Sequence, residues 1–291
     1  MEQERAVGQP RGDERDWSDV RFQRHLDAVK GLHRGPVVVV DSTGSTNLDV
    51  ADQAAEGAPA GFAVIAHEQV NGHGRLGRRW VSPRGAGVSI SILLRPDVPV
   101  SLWGWLPLIV GLAVVDACAD VGLSAALKWP NDVIVVGQGP DGRPGPRKLG
   151  GILMERIESS SGEHRAAAVV GIGVNVDLTV DELPIETATS MRLEGLVVER
   201  EQLAVRILDR VVELAGVWEA AEGDVVGTGL MDRYRLTCST IGQSVRVERP
   251  GGEILSGRAL DVDRSGGLAI QTPDDREVVV TAGDVIHLRG S

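Results

Sequence analysis

Glu68-Gln69-Val70-Asn71-Gly72-His73-Gly74-Arg75-Leu76-Gly77-Arg78-Arg79-Trp80-Val81-Ser82-Pro83 is the stretch on which the fold turns. Gly72, Gly74 and Gly77 satisfy the GxGxxG spacing of a dinucleotide-binding loop. A true fingerprint follows a strand and opens a helix. The strand is expected upstream, over Phe62–Glu68, but Trp80-Val81-Ser82-Pro83 does not begin a helix, so the doubly wound reading fails. The Walker reading fails as well, because no Gly-Lys-Ser/Thr closes the loop. What remains is glycine, which lets backbone approach a ligand, alternating with arginine, whose planar fork matches carboxylate and phosphate. Such a loop is expected to be mobile when empty and to fold over an anion. A solvated basic turn is the simpler alternative.

That cationic loop stands out against its chain. The 291 residues carry 30 Lys and Arg against 41 Asp and Glu, a formal net charge of −11. An acidic chain repels nucleic acid unless its basic residues are concentrated in one place. Only 3% of residues are aromatic, most of them Trp, which leaves little for base stacking. The 42% hydrophobic and 24% charged residues are those of a soluble globular protein. On this reading no apolar run approaches the roughly 20 residues of a membrane span and the N-terminus lacks the apolar core of a signal peptide, so the chain is expected in the cytoplasm, with no membrane partner. Cys118 and Cys238 fit neither a disulfide framework nor a zinc spacing.

Outward from the loop, the pattern predicts a mixed sheet with helices, an α/β (α+β) fold, followed by a small barrel. Strands are expected at Val37–Asp41, buried by its unbroken valines, and at Phe62–Glu68, Val88–Leu94, Asp132–Val136, Leu149–Ile157 and Ala167–Val176. Helices are expected from near Asn47, with Thr46 and Asp49 as a capping box and Gly57 closing it, over Trp103–Ala119, and from about Arg200 to Ala221. Gly137–Arg147 reads as a hairpin connection. From about Thr237 short alternating strands begin: Ser244–Glu248, Ile254–Asp263, Leu268–Gln271, Glu277–Thr281 and Val285–Leu288. Turn signals such as Pro250-Gly251-Gly252 separate them, which suggests the barrel. Residues 1–35 read as an untethered tail with one helix from Ser18 to about Leu32. The expected division is a tail over 1–35, a catalytic domain over 36–236 and the barrel over 237–291.

Two further clusters carry chemistry. Lys128-Trp129-Pro130-Asn131-Asp132 mounts a lysine beside a stiff Trp-Pro wall, where its ammonium could meet a carboxylate and a phosphate together; Asn131 and Asp132 read either as an Asx turn or as help in positioning a metal. Lys148-Leu149-Gly150-Gly151-Ile152-Leu153-Met154-Glu155 and Gly171-Ile172-Gly173-Val174-Asn175 place glycines inside strands, which marks close approach of a ligand or of another backbone.

Ser45-Thr46-Asn47, the loop Gly72–Arg78, Lys128–Asp132, Lys148–Glu155 and Gly171–Asn175, in this order, resemble the bacterial biotin protein ligases, the biotin–[acetyl-CoA-carboxylase] ligases. The resemblance covers about Val37 to Leu288 and implies an SH3-like barrel at the C-terminus. The lipoate ligases share the fold class but not the pairing of Lys128–Asp132 with the arginine loop. The resemblance implies that biotin's carboxylate attacks the α-phosphate of ATP, with Mg²⁺ on the phosphates, and that biotin passes from biotinyl-5′-AMP to a lysine of a biotin carboxyl carrier domain. It implies catalytic roles for Arg75, Lys128 and Lys148. Biotin and ATP contacts are implied for Ser45, Thr46, Asn47, Gln69, Gly72, His73, Gly74, Arg78, Trp80, Asn131, Gly150, Gly151 and Asn175. No metal ligand is certain, Asp132 being the candidate.

Two departures matter. His73 stands where arginine is common in this family, which bears on retention of the adenylate. Residues 1–35 are too few for the winged helix of the members that repress transcription, so no nucleic-acid partner is expected. The oligomeric expectation stays open between monomer and homodimer. A lipoate-type ligase and a non-catalytic biotin sensor are the alternatives.

Overall fold

The computed structural model describes residues 19–28, 35–80, 82–139, 142, 145–158, 166–249 and 251–288. The ends of the expected tail (1–18 and 29–34), the last part of its expected helix, Val81 and Pro250 lie outside the described residues.

Seven strands form a mixed sheet: β1 (Val37–Thr43), β2 (Ala63–Gln69), β3 (Gly87–Leu94), β4 (Ala126–Lys128), β5 (Asp132–Val135), β6 (Arg147–Ile157) and β7 (Ala167–Asn175). Their order is β1-β2-β3-β7-β6-β5-β4. β1 and β2 run parallel and every other pair is antiparallel. The parallel pair needs a crossover, which α2 (Thr46–Ala55) supplies. α2 packs on β2, β3 and β7 through Val50 and Ala54, against Val64, Leu93 and Val169. Ile90 and Ile92 face the opposite way, towards α3 (Leu106–Asp120) and α4 (Arg200–Ala220). Alternation along β3 thus feeds two apolar layers.

α3 is apolar almost all round, as a helix enclosed by protein must be. With the 3₁₀ turn before it, Val100–Asp120 is long and apolar enough to cross a membrane by length and composition. This corrects the sequence expectation on apolar runs. Most of the segment is buried against the protein's own sheet and α4.

α5 (Leu230–Thr237) leads into five further strands: β8 (Ser244–Glu248), β9 (Ile254–Val262), β10 (Leu268–Gln271), β11 (Glu277–Val280) and β12 (Asp284–His287). They form an antiparallel sheet in the order β11-β10-β9-β8-β12. Its apolar face joins the main core through Val245, Val247, Ala259, Leu268, Ile270 and Val285. Trp129 stitches the two sheets together. Its backbone N–H donates to Thr240 Oγ1 at 3.1 Å and its indole Nε1 donates to the Gly266 carbonyl at 3.0 Å.

Three local expectations are corrected. The valine run of β1 is only half-buried, with Val38 exposed, because β1 is an edge strand, with β2 as its one strand neighbour among the described residues. The Thr46–Asp49 capping box does not form: Ser45 is the N-cap, and the Thr46 amide donates to Gln69 Oε1 instead. Gly57, at φ +93°, does follow the end of α2. Residues 19–28 are not untethered. They form α1 (Asp19–Ala28), which packs on α4, with Phe22 buried in the main core and Arg21 Nη2 2.7 Å from Glu201 Oε1.

Candidate active site

At and beyond the C-terminal ends of β1 and β2 come the segments 44–47 and 69–80. Both line a cavity of about 350 Å³, together with residues 128–132, the middles of β6 and β7, residues 184–188 and one edge of the C-terminal sheet. Lining side chains include Arg75, Arg78, Arg79, Lys128 and Lys148 against Asp132, Glu248 and Asp284. The cavity is therefore cationic in a chain whose net charge is −11. Arg75 and Lys128 face the same space.

The loop is a compact hairpin. His73 and Arg79 bridge in antiparallel fashion, Gly74 N–H donates to Arg78 O at 2.6 Å, and Trp80 N–H donates to Gly72 O at 2.9 Å. Gly72 is required by proximity: a Cβ there would lie 2.8 Å from Trp80 O and 3.1 Å from Gln69 Nε2. Leu76 and Gly77 at the tip both have positive φ, a strained choice for leucine. Two arginines tie the tip to the C-terminal sheet. Arg78 forms an ion pair with Asp284, and Arg75 Nη2 donates to Gly283 O at 3.4 Å.

Lys128 ends β4, and the cis peptide Trp129–Pro130 carries the chain round into β5. Burial draws the Lys128 ammonium below the ordinary lysine value, with Lys148 and Arg78 adding repulsion and Asp132 and Asp284 opposing. Burial likewise lowers the Arg75 guanidinium, against the attraction of Asp284 and Asp132. Two cations kept partly out of water on one cavity form a site that a polyanion would relieve. Asp132 is engaged by Lys148, whose Nζ lies 2.6 Å from Oδ1. Lys148 is itself fixed by the parallel bridge to Ala188, with its amide donating to Thr187 O at 2.7 Å.

The polar end of the cavity is built by α2. The Thr46 amide and hydroxyl lie 2.9 and 3.0 Å from Gln69 Oε1. Asn47 lies across β7, its Nδ2 donating to Glu155 Oε2 at 2.6 Å. The glycines of β6 and β7 make room for side chains. A Cβ at Gly171 would fall 2.3 Å from Asn47 Oδ1, and one at Gly173 would fall 2.5 Å from Trp80 Cε2. The Trp80 indole thus lies against the strand floor, with Gly151 beneath its other edge.

Ser45, Thr46, Asn47, Gln69, His73, Gly74, Arg75, Arg78, Trp80, Lys128, Asn131, Asp132, Lys148, Gly151 and Asn175 all line the cavity. Gly72 and Gly150 do not line it. Gly72 sits behind Gln69, and Gly150 lies under β7, where a Cβ would be 2.5 Å from Gly173 O. Asn131 pins its own turn, donating from Nδ2 to Ile152 O at 2.9 Å. Asn175 is buried, donates to Thr189 O at 2.9 Å, and leaves its Oδ1 without a partner. Sequence reasoning missed Asp284, Glu248, residues 184–188 and, behind the cavity wall, Ser91. Ser91 alone carried a signal: serine alternates with isoleucine in Val88-Ser89-Ile90-Ser91-Ile92, inside a strand buried on both faces.

Comparison with known proteins fits this arrangement. Residues 39–175 match the Biotin/lipoate A/B protein ligase family, and residues 240–288 match the Biotin protein ligase C terminal domain. The chain is 37% identical over 257 residues to the biotin--[acetyl-CoA-carboxylase] ligase of Mycobacterium tuberculosis, covering 86% of this chain and 88% of that one. It belongs to the biotin protein ligase family. A second family member, the biotin--[acetyl-CoA-carboxylase] ligase of Paracoccus denitrificans, is 30% identical over 82% of this chain and 96% of its own. The family fold recurs in the biotin protein ligase of Aquifex aeolicus, solved in complex with biotin and ATP. That structure superposes with a TM-score of 0.67 at 24% identity, over 87% of this chain and 99% of that one.

Proposed function

We propose that this cavity joins biotin to ATP and passes the activated acyl group to a lysine of a biotin carboxyl carrier domain of an acyl-CoA carboxylase. In the first step a biotin carboxylate oxygen attacks the α-phosphorus and the bond to pyrophosphate breaks, leaving biotinyl-5′-AMP. In the second, the neutral amine of the carrier lysine attacks the acyl carbon, the bond to the phosphate oxygen breaks, and AMP leaves as the amide forms. The amine's surplus proton goes to solvent.

The observation that carries this reading is the convergence of Arg75, Arg78, Lys128 and Lys148 on one cavity whose far end is neutral and polar. Bringing a carboxylate against a triphosphate is opposed by charge, so preorganised cations at the meeting point are the main requirement. Arg75 and Lys128 carry out that neutralisation, and Lys148, braced by Asp132, faces the phosphates. Ser45, Thr46 and Gln69 suit the urea ring. His73, Gly74 and Trp80 belong to the cover over the ligand, and Asn175 Oδ1 is an acceptor for the nucleotide. Proximity and charge suffice for acyl transfer through an adenylate, so no covalent enzyme nucleophile is assigned. Mg²⁺ enters this reading on the nucleotide's phosphate oxygens. Asp132, the candidate ligand, is engaged by Lys148, and among the described residues no group of three or more His, Cys, Asp or Glu is gathered that could hold a metal ion. This reading therefore assigns Mg²⁺ to the nucleotide, with Asp132 as a carboxylate within the cavity that could assist. Dependence on ATP and on a carboxylase carrier argues for the cytoplasm.

The test is pyrophosphate release that depends on biotin, followed by transfer of labelled biotin to a purified carrier domain. Lipoate in place of biotin should not release pyrophosphate. A carrier left unmodified while biotin binds would point to a sensor and overturn the reading.

A further inference from the structure

Ser91 lies in the middle of β3, wholly buried, directly opposite Gly171 of β7. Its Oγ is 2.7 Å from Thr46 Oγ1 and 2.6 Å from Asn47 Oδ1. Thr46 Oγ1 is in turn 3.0 Å from Gln69 Oε1. Both amide groups have fixed orientations. Asn47 Nδ2 donates to the Glu155 carboxylate, so Oδ1 must face Ser91. Gln69 Oε1 accepts the Thr46 amide proton, so its oxygen must face Thr46.

Three oxygen–oxygen contacts therefore run from Gln69 through Thr46 and Ser91 to Asn47. Only the two hydroxyls carry protons; the amide oxygens at the ends can only accept. One contact must go without a proton. If Thr46 donates to Gln69 and Ser91 to Thr46, the buried Asn47 oxygen receives nothing from either hydroxyl. If Thr46 donates to Ser91 and Ser91 donates to Asn47, every acceptor is served, because Gln69 Oε1 keeps the Thr46 amide. An orphaned buried acceptor rules out the first arrangement. The remaining alternative, Thr46 donating to Gln69 and Ser91 to Asn47, sets two hydroxyl oxygens 2.7 Å apart with no proton between them. The second arrangement leaves unprotonated only the wider 3.0 Å contact of Thr46 with Gln69, so the second prevails. It turns the Thr46 proton inward and leaves the Thr46 lone pairs towards the cavity, in the state that accepts an N–H.

We propose that Ser91 is a positioning residue for recognition of a cyclic urea: its hydroxyl sets the proton direction of Thr46, so that Thr46 accepts a ureido N–H, and holds Asn47 across Gly171. This deepens the biotin reading and rests on it. Ser91 itself does not line the cavity. Its effect on the ligand passes entirely through the Thr46 and Asn47 side chains.

The experiment measures steady-state pyrophosphate release and calorimetric biotin binding for the wild type, Ser91→Ala and Ser91→Cys, with Thr46→Ala and the Ser91→Ala/Thr46→Ala pair completing a cycle. Cysteine keeps nearly the same volume with a weak donor, so it serves if the alanine variant fails to fold. The expected result is a rise of about ten-fold in KM and Kd for biotin in both Ser91 variants, with kcat and KM for ATP within about two-fold of wild type. In the Thr46→Ala background the Ser91 substitution should add much less than it does alone. Unchanged biotin affinity in both Ser91 variants, or effects that multiply independently in the cycle, overturns the proposal while the ligase reading stands. Failure of the wild type to bind biotin overturns both.

Discussion

Replacing Gly173 with alanine isolates what the β7 glycines do. A Cβ at this position would lie 2.5 Å from Trp80 Cε2, 2.6 Å from Cζ2 and 2.9 Å from Nε1. Carbon–carbon contacts settle at about 3.5–4.0 Å, so the gap must open by about 1 Å. Gly173 is paired with Ser89 on one side and Gly151 on the other, so the strand is clamped and the indole must move, outward into the cavity. Overpacking costs about 1–3 kcal/mol where nothing can yield. Here the ring has open space to enter, and alanine in a strand regains about 0.5–1 kcal/mol of backbone entropy over glycine. The two nearly cancel, so the variant should melt within a few degrees of the wild type. Activity should not be spared, because a misplacement of about 1 Å in a reacting site costs on the order of 100-fold in rate. The assay pairs a thermal melt with biotin-dependent pyrophosphate release, for Gly173→Ala alone and in a Trp80→Phe background, where the smaller ring should relieve much of the added loss. Wild-type turnover in the single variant, or a loss of the same size in both backgrounds, would refute the reasoning.

Other predictions follow from the cationic end of the cavity. Arg75→Ala removes a side chain from the tip of the loop hairpin and should leave the melting temperature nearly unchanged while lowering adenylation by about 100- to 1000-fold, the usual consequence of deleting one preorganised charge partner; stopped-flow pyrophosphate detection checks it. Lys128→Met should abolish adenylation yet raise stability at neutral pH. Burial holds the Lys128 pKa below its unfolded value, so the unfolded chain binds that proton more tightly, and the resulting penalty is full at low pH and relieved as pH rises through the folded value towards 10.5. Denaturant melts at neutral and alkaline pH should show the gain shrinking as pH rises. Asp284→Asn breaks a pair in which Arg78 is 68% exposed, so global stability should shift by no more than about 1 kcal/mol. Amide exchange within residues 72–80 should nonetheless quicken, which mass spectrometry of peptic fragments resolves.

Much of the fold was legible because it is written in local periodicity. The strands β3, β8 and β10 and the helices α2, α3 and α4 sit within a few residues of where alternation and apolar spacing put them. The failures have a common cause, which is that position in the sheet is not a local property. Four valines read as a buried strand, yet β1 is an edge. β4 is only three residues long and offers no period to detect. Thr46 looks like half of a capping box until Gln69, twenty-three residues on, takes its amide. The site was legible where glycine and cation cluster in sequence, as in Gly72–Arg78 and Lys128–Asp132. It was illegible where a partner arrives from a distant strand, as Asp284 does, two hundred and six residues after Arg78.

Trp129 hangs from Thr240 and Gly266, and the arginine hairpin is moored at Gly283 and Asp284, so the last fifty residues are masonry in the wall of the chamber rather than an annex to it. Surgery that trimmed the chain before β8 would strip the lysine's mount and the lid's anchorage in one cut. Substitutions confined to β8 and β12, which border the cavity through Glu248 and Asp284, should therefore alter how long the mixed anhydride is kept from water.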